Sequence, residues 1–335
     1  MPAPRDRRVP RLLFLFTIVL ALLGVAACGG SAQKPVVAPV ATDSAWIPQF
    51  LGGPADFTTM VRPNALRFDT YWGPLVSRLM ANEHGDAYSR MSVQQLASSR
   101  QIDVYVTLRD PLRLYGGGNS KGVDATAVGW IAIVYGMPPT DPVPVRTNHG
   151  GPVFTPPVRL PSGVLMFSGD ANLANESAGL SPTLFFTPDG AWIATDQVSA
   201  PRVRDFLSRT PTAPPQLSST ADGLAGVTMN VTSMKFVDSA KNASSAMWSG
   251  ATAAGLGLRG GANGALEGYA DYATSDDADR AYKSFQAECA AKPNECMIQP
   301  GFFKEAKAEK DDKRLLVTLA FSDALLRSIQ SYSSP

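Results

Sequence analysis

Few residues of this chain have the types and spacing that chemistry requires. Ser120 stands in Gly118-Asn119-Ser120-Lys121-Gly122, a match to the G-x-S-x-G string. In hydrolases that string puts a serine nucleophile on a sharp turn between a buried strand and a helix. Together with Asp124 or Asp141 and His149 it gives the order Ser, Asp, His of a catalytic triad. The context argues against it. Gly116-Gly117 precede the string and a polar turn follows, so the strand before and the helix after are missing.

Gly255-Leu256-Gly257-Leu258-Arg259-Gly260 matches G-x-G-x-x-G, which works by setting a pyrophosphate at the N-terminus of a following helix. A hairpin pattern follows instead, so these small residues are read as letting something pack closely on a strand. His84 and His149 lie in polar, loop-like stretches with no second histidine or carboxylate pair at ligand spacing. Asp276, Asp277 and Asp279 lack the glycine turn and distal glutamate of a calcium loop, and they suit the positive end of a helix. No enzyme activity, cofactor or metal is expected. Asn175, Asn230 and Asn242 begin sequons, which matter only on an export route that glycosylates asparagine.

The three cysteines divide into one and two. Cys289 closes an apparent helix and Cys296 follows the turn-forming Lys292-Pro293-Asn294, a spacing that predicts a local disulfide. Cys28 stands apart. Arg5, Arg7, Arg8 and Arg11 precede an apolar run from Leu12 to Leu23, and small residues lead on to that cysteine. The run is shorter than the ~20 apolar residues that span a bilayer.

Val25-Ala26-Ala27-Cys28 resembles the lipobox of bacterial lipoproteins. The resemblance implies that residues 1–27 are a signal peptide, that the Cys28 thiol takes a diacylglycerol, and that the new amine is acylated. Several acyl chains at ~0.8 kcal/mol per buried methylene hold a protein on a membrane permanently. Gly29 after the cysteine, in place of Asp, implies the outer membrane if the host is Gram-negative. Residues 28–45, rich in Ala, Val and Pro, read as the lipidated cysteine and a flexible tether. At ~3.3 Å per residue such a tether reaches up to ~55 Å from the bilayer.

Charge narrows the partners. The chain has 30 basic and 29 acidic residues; without the four arginines and one aspartate of residues 1–27 these become 26 and 28, a net charge of −2. A nucleic-acid binder carries a marked basic excess, so none is expected as partner. The membrane, through the lipid, and a protein or polymer of the envelope remain.

Around these residues the periodicity predicts an α+β fold of two tandem units, read as a divergent duplication, each an antiparallel sheet covered by helices. The first would occupy 46–210 and the second 223–335, joined by a Pro/Ser/Thr-rich linker at 211–222. In the second unit, strands are predicted at 227–234, 251–258, 265–272, 303–310 and 314–321, and helices at 239–247, from Ser275, and from Ser322. The order is β-α-β-β-α-β-β-α. The helix after Ser275 carries the stripe Ala278, Ala281, Tyr282 and Phe285.

In the first unit the patterns give a helix at 70–81, a helical turn at 93–98, strands at 102–108 and 130–135, and a proline-rich surface loop over 137–161. Residues 191–207 align without a gap to 314–330, pairing Thr195 with Thr318, Ser199 with Ser322 and Arg204 with Arg327. One sheet face of each unit would be left for pairing between units or for a partner.

The function these features favour is a membrane-anchored envelope lipoprotein with a non-catalytic binding or scaffolding role. The first alternative is a carrier of a hydrophobic ligand, with room beside the small-residue strands 251–258 and 265–270. The second is an envelope serine hydrolase using Ser120 and His149.

Overall fold

The computed structural model describes residues 46–81, 96–109, 127–137, 156–168, 183–218, 223–231, 250–261, 264–291 and 303–332. The first element is a single turn that glycine ends. In α1 (Ile47–Leu51) Pro48 occupies the first turn, and Gly52, at φ 82, donates its N–H back to the Pro48 carbonyl at 2.9 Å. Ile47, Phe50 and Leu51 therefore fall on one side and are buried.

Strand β1 (Phe57–Val61) leads into α2 (Pro63–Phe68) and α3 (Trp72–Ala81). Then come β2 (Gln101–Leu108), β3 (Val128–Tyr135), the short β4 (Val158–Arg159) and β5 (Leu165–Phe167), β6 (Thr183–Phe186), β7 (Trp192–Thr195) and α4 (Ala200–Leu207). The second half holds β8 (Gly223–Asn230), β9 (Ala251–Arg259), β10 (Ala265–Tyr272), α5 (Ser275–Ala291), β11 (Phe303–Asp311), β12 (Arg314–Phe321) and α6 (Asp323–Tyr332).

Two units with separate helix-covered sheets do not form. The twelve described strands make one continuous antiparallel sheet in the order β11-β12-β10-β9-β8-β1-β2-β3-β7-β6-β5-β4. The fold is accordingly sheet-dominated, not an α+β pair. The halves join where β1 pairs with β8, from Phe57 opposite Met229 to Val61 opposite Ala225. The physical reason is the edge. Each of these strands would otherwise end its sheet with a row of unpaired N–H and C=O groups, and pairing satisfies both rows. Counted outwards from this junction, the succession β1, β2, β3, β7, β6 in one half parallels β8, β9, β10, β12, β11 in the other. The aligned segments 191–207 and 314–330 fall on β7 with α4 and on β12 with α6.

The segment 211–218 is not a free linker. Leu217 is buried in the first half's core, and the Tyr135 hydroxyl donates to the Pro214 carbonyl at 2.9 Å. Several elements fall close to their expected places, among them 265–272 and 314–321, while 232–249 and 292–302 lie outside the described residues. The starts of the three helices are held in different ways. The first turn of α5 is held by Thr274, whose Oγ1 accepts the Asp277 N–H at 3.1 Å, and not by Ser275. Ser199 makes no side-chain cap on α4, whereas Ser322 accepts the Leu325 N–H at 3.1 Å.

Candidate functional site

Residues opposite one another in antiparallel strands point to the same face, so the registers sort every side chain of the sheet. Face A of the first half carries Met60, Asp103, Tyr105, Ile131, Ile133, Ile193 and Phe185. This is the buried core, closed by Trp46, Ile47, Phe50 and Leu51 on α1 and by Val203 and Leu207 on α4. In the second half the helix lies on the other side. Ala278, Ala281 and Phe285 of α5 pack on Leu266, Ala270, Leu315, Val317 and Leu319, all on face B.

Face B is apolar from one half to the other. One row runs Phe186, Trp192, Val134, Ile102, Val61, Ala225, Leu258, Leu266, Leu319 across nine paired strands. The next row in the first half holds Leu184, Ala194, Ala132, Val104 and Thr59, and Phe57, Val106 and Trp130 form a third. Helix α5 covers this plane over β10 and β12, and Trp72 of α3 and Leu325 of α6 pack on the same cluster. In the first half α1 and α4 are on the opposite side, α2 contributes no buried residue, and Val61, Ile102, Val104, Trp130, Ala132, Leu184, Phe186, Trp192 and Ala194 are half-buried. A sheet with one face on its core ordinarily presents polar side chains on the other. Here that face is aliphatic and aromatic, with the Phe186 and Trp192 rings 5.7 Å apart edge to face.

Face A of the second half is its chemical opposite. Gly226, Gly255 and Gly257 form its middle, beside a buried ion pair in which Arg259 Nη1 lies 3.0 Å from Glu267 Oε1. Arg314 lies over the Tyr269 ring at 4.5 Å and binds Asp271, with Nη2 donating to Oδ2 at 2.7 Å. Burial raises the Tyr269 hydroxyl above its ordinary range.

Two further polar clusters have structural roles. Asp196 accepts the Val198 and Ser199 N–H groups at 2.9 Å, the Trp130 N–H at 2.9 Å and Arg109 Nη2 at 2.9 Å, which fixes the turn between β7 and α4. Asp103 in β2 is wholly buried, and its carboxylate accepts Gln101 Nε2 and the Leu217 N–H, both at 2.9 Å. Burial pushes Asp103 up to about 6, against the pull of those two donors and of the Arg62 charge.

Of the motifs singled out from sequence, Asp276, Asp277 and Asp279 are described at the start of α5, and so is the whole glycine string. It runs along β9 into a hairpin turn, without the helix that a dinucleotide needs. The turn has its own use. Gly261, at φ 75, donates its N–H to Asp69 Oδ2 at 2.6 Å, and a methyl group at 260 would collide with that oxygen and with Leu224. Asp69 Oδ1 meanwhile accepts the Tyr71 and Trp72 N–H groups at 2.9 and 3.0 Å, holding the first turn of α3. On face B the room expected beside β9 and β10 is taken by α5, since Ala251 and Ala270 share a cluster with Ala278, Ala281 and Phe285.

Cys289 lies in the last turn of α5, with its side chain outside the described residues. Cys28, Cys296, His84, Ser120, Asp124, Asp141 and His149 lie outside them altogether. Among the described residues no group of three or more His, Cys, Asp or Glu is placed to hold a metal ion, and no helix is long and apolar enough to cross a membrane.

Sequence reading missed the apolar first-half face, although a signal was present. In Gln101-Ile-Asp-Val-Tyr-Val-Thr-Leu108 the residues alternate cleanly, but the half carrying Gln101, Asp103 and Tyr105 is the buried one. Strand β3, Val-Gly-Trp-Ile-Ala-Ile-Val-Tyr, is apolar on both faces, the mark of a strand to be covered twice. Comparison of the chain with known families, with curated proteins and with solved structures finds no match.

Proposed function

We propose that this is a lipid-anchored envelope protein without a catalytic role, which binds a protein partner through face B of its first half. The anchor rests on the signal-peptide layout and the lipobox that ends at Cys28. The binding role rests on one observation: the plane that α5 covers over β10 and β12 continues over β1, β2, β3, β7 and β6, without a charged side chain in its three rows and half-buried apart from the buried Thr59, Val106 and Val134. A partner would extend the layer that α5 begins. Contiguous apolar surface of this kind marks interaction sites.

The edges of the sheet favour recognition by the face over strand addition. Outer strand β11 carries Lys304, Lys307, Glu309 and Lys310, and outer strand β4 has two residues following Pro156-Pro157. Charges, prolines and shortness are what deter edge pairing. A photo-crosslinking residue at position 104 or 132 of the full-length protein in cells should give an adduct of defined mass. The same residue at Lys307 should not, and Val104→Lys should abolish the adduct formed at 132. No adduct at either face position, or one indifferent to Val104→Lys, overturns the binding role. The anchor has a separate test. Cys28→Ala should lose metabolic labelling by a palmitate analogue, and undiminished label refutes lipidation.

A further inference from the structure

The chain passes from α4 to β8 by crossing back over the sheet, and residues 214–217 are seated on face A of β2 and β3. Three polar groups hold them. The Leu217 N–H donates to Asp103 Oδ2 at 2.9 Å, its carbonyl accepts Gln101 Nε2 at 2.9 Å, and the Tyr135 hydroxyl donates to the Pro214 carbonyl at 2.9 Å. Gln101 Nε2 also donates to Asp103 Oδ1 at 2.9 Å, so side-chain amide, carboxylate and backbone close a ring. In register Asp103 lies between Met60 and Ile133, with Tyr105 two residues along its own strand. Only the two donors and the Arg62 charge suit an ionised carboxylate at this position.

We propose that this ring is a pH-sensitive latch, in which ionisation of Asp103 loosens the seat of residues 214–217 and protonation tightens it. In the seated state the carboxyl has exchanged water for two hydrogen bonds. When the segment lifts, water returns and the charged form is stabilised. The groups acting on Asp103 from the elements around it are Arg62 at the end of β1, which favours the ionised form, and the phenols of Tyr105 on β2 and Tyr135 on β3, which stay neutral because burial raises both well above their ordinary range.

Burial outweighs Arg62, so the seated carboxyl titrates at about 6 in place of 3.8. The sign follows from linkage. A raised acid favours the seated state fully below its ordinary value, and that preference is lost as pH rises through the seated value. From about pH 4.5 to about pH 7.5 the equilibrium for lifting should rise roughly 25-fold.

Amide exchange on the full chain, corrected for the intrinsic pH dependence of exchange, reads this directly. Opening at the Leu217 N–H should increase about 25-fold over that range while opening at the Ile193 N–H, in the middle of β7, does not follow it. Asp103→Asn, which keeps an acceptor for Leu217 but cannot ionise, should make the Leu217 response flat. If the two wild-type amides rise together, or if the substituted protein keeps the rise, the latch is refuted. Should Asp103→Asn fail to fold, the comparison of the two amides in the wild-type chain decides alone.

Discussion

The two halves of the sheet share a strand succession and differ in which face they bury. In the first half α1 and α4 close face A, and the side against which no described helix of that half packs is apolar. In the second half α5 closes face B over β10 and β12, and the other side carries Arg259 with Glu267, Arg314 with Asp271, and a glycine middle. Because β1 and β8 pair in register, the two coverings act on one plane, and face B is half-buried on both sides of the junction, at Ala225 and Leu258 as at Val61 and Ile102. The lesson is that hydrophobic pattern specifies that a face wants covering, but not what covers it. In one half the chain supplies its own helix, and in the other we assign that place to a partner.

The sharpest way to break the contrast is to truncate matched residues of face B. Leu315 is 1 % exposed beneath α5, and Leu315→Ala should lower stability by about 2–5 kcal/mol through lost transfer energy and the cavity left behind. Ile102 is on the same face but half-buried, and Ile102→Ala should cost about 1 kcal/mol. Denaturant titration of both variants checks this. Equal losses would mean that the first-half face is core.

A smaller effect is expected where the halves are tied together. Asp69, before α3, serves three donors: the N–H groups of Tyr71, Trp72 and, across the junction, Gly261. Asp69→Ala should cost about 2–3 kcal/mol, since it uncaps a helix and strands a turn amide. Asp69→Asn should lose less, because its single carbonyl still accepts. Faster exchange at Gly261 in the alanine variant, with β3 amides unchanged, would place the loss at the junction; uniform acceleration would deny that role.

What was legible in the sequence follows from range. Hairpins came through because their determinants are local: Gly260-Gly261 and Asp311-Asp312 sit between alternating runs, and Asp312 tolerates its φ of 49. The stripe of Ala278, Ala281 and Phe285 is likewise a property of one segment. The pairing of β1 with β8 is not. It joins residues some 170 apart in the chain, and nothing in either strand names its neighbour. The seat of residues 214–217 was missed for a related reason. Prolines and serines spoke for a linker, while the residues that bind it, Gln101, Asp103 and Tyr135, lie on strands some 80 to 115 residues earlier, and nothing in the segment names them.

The finest form of the comparison lies in the two aligned serines. Ser322 and Ser199 occupy equivalent places before α6 and α4, yet the Ser322 hydroxyl accepts the Leu325 N–H at 3.1 Å while the Ser199 hydroxyl accepts Arg109 Nη2 at 2.6 Å. In the first half the turn is held by Asp196, which takes the Val198 and Ser199 N–H groups and the Arg109 charge on one carboxylate. Ser322→Ala therefore removes a cap and should cost about 1 kcal/mol, with exchange at Leu325 quickened as the first turn of α6 frays. Ser199→Ala removes one bond to a guanidinium that keeps its carboxylate partner, and Asp196 still fixes the backbone. Its cost should be at or below about 1 kcal/mol, with exchange in the first turn of α4 unchanged. If Ser199→Ala frays α4 as Ser322→Ala frays α6, the two halves solve the same local problem in the same way, and the distinction drawn between them at this position fails.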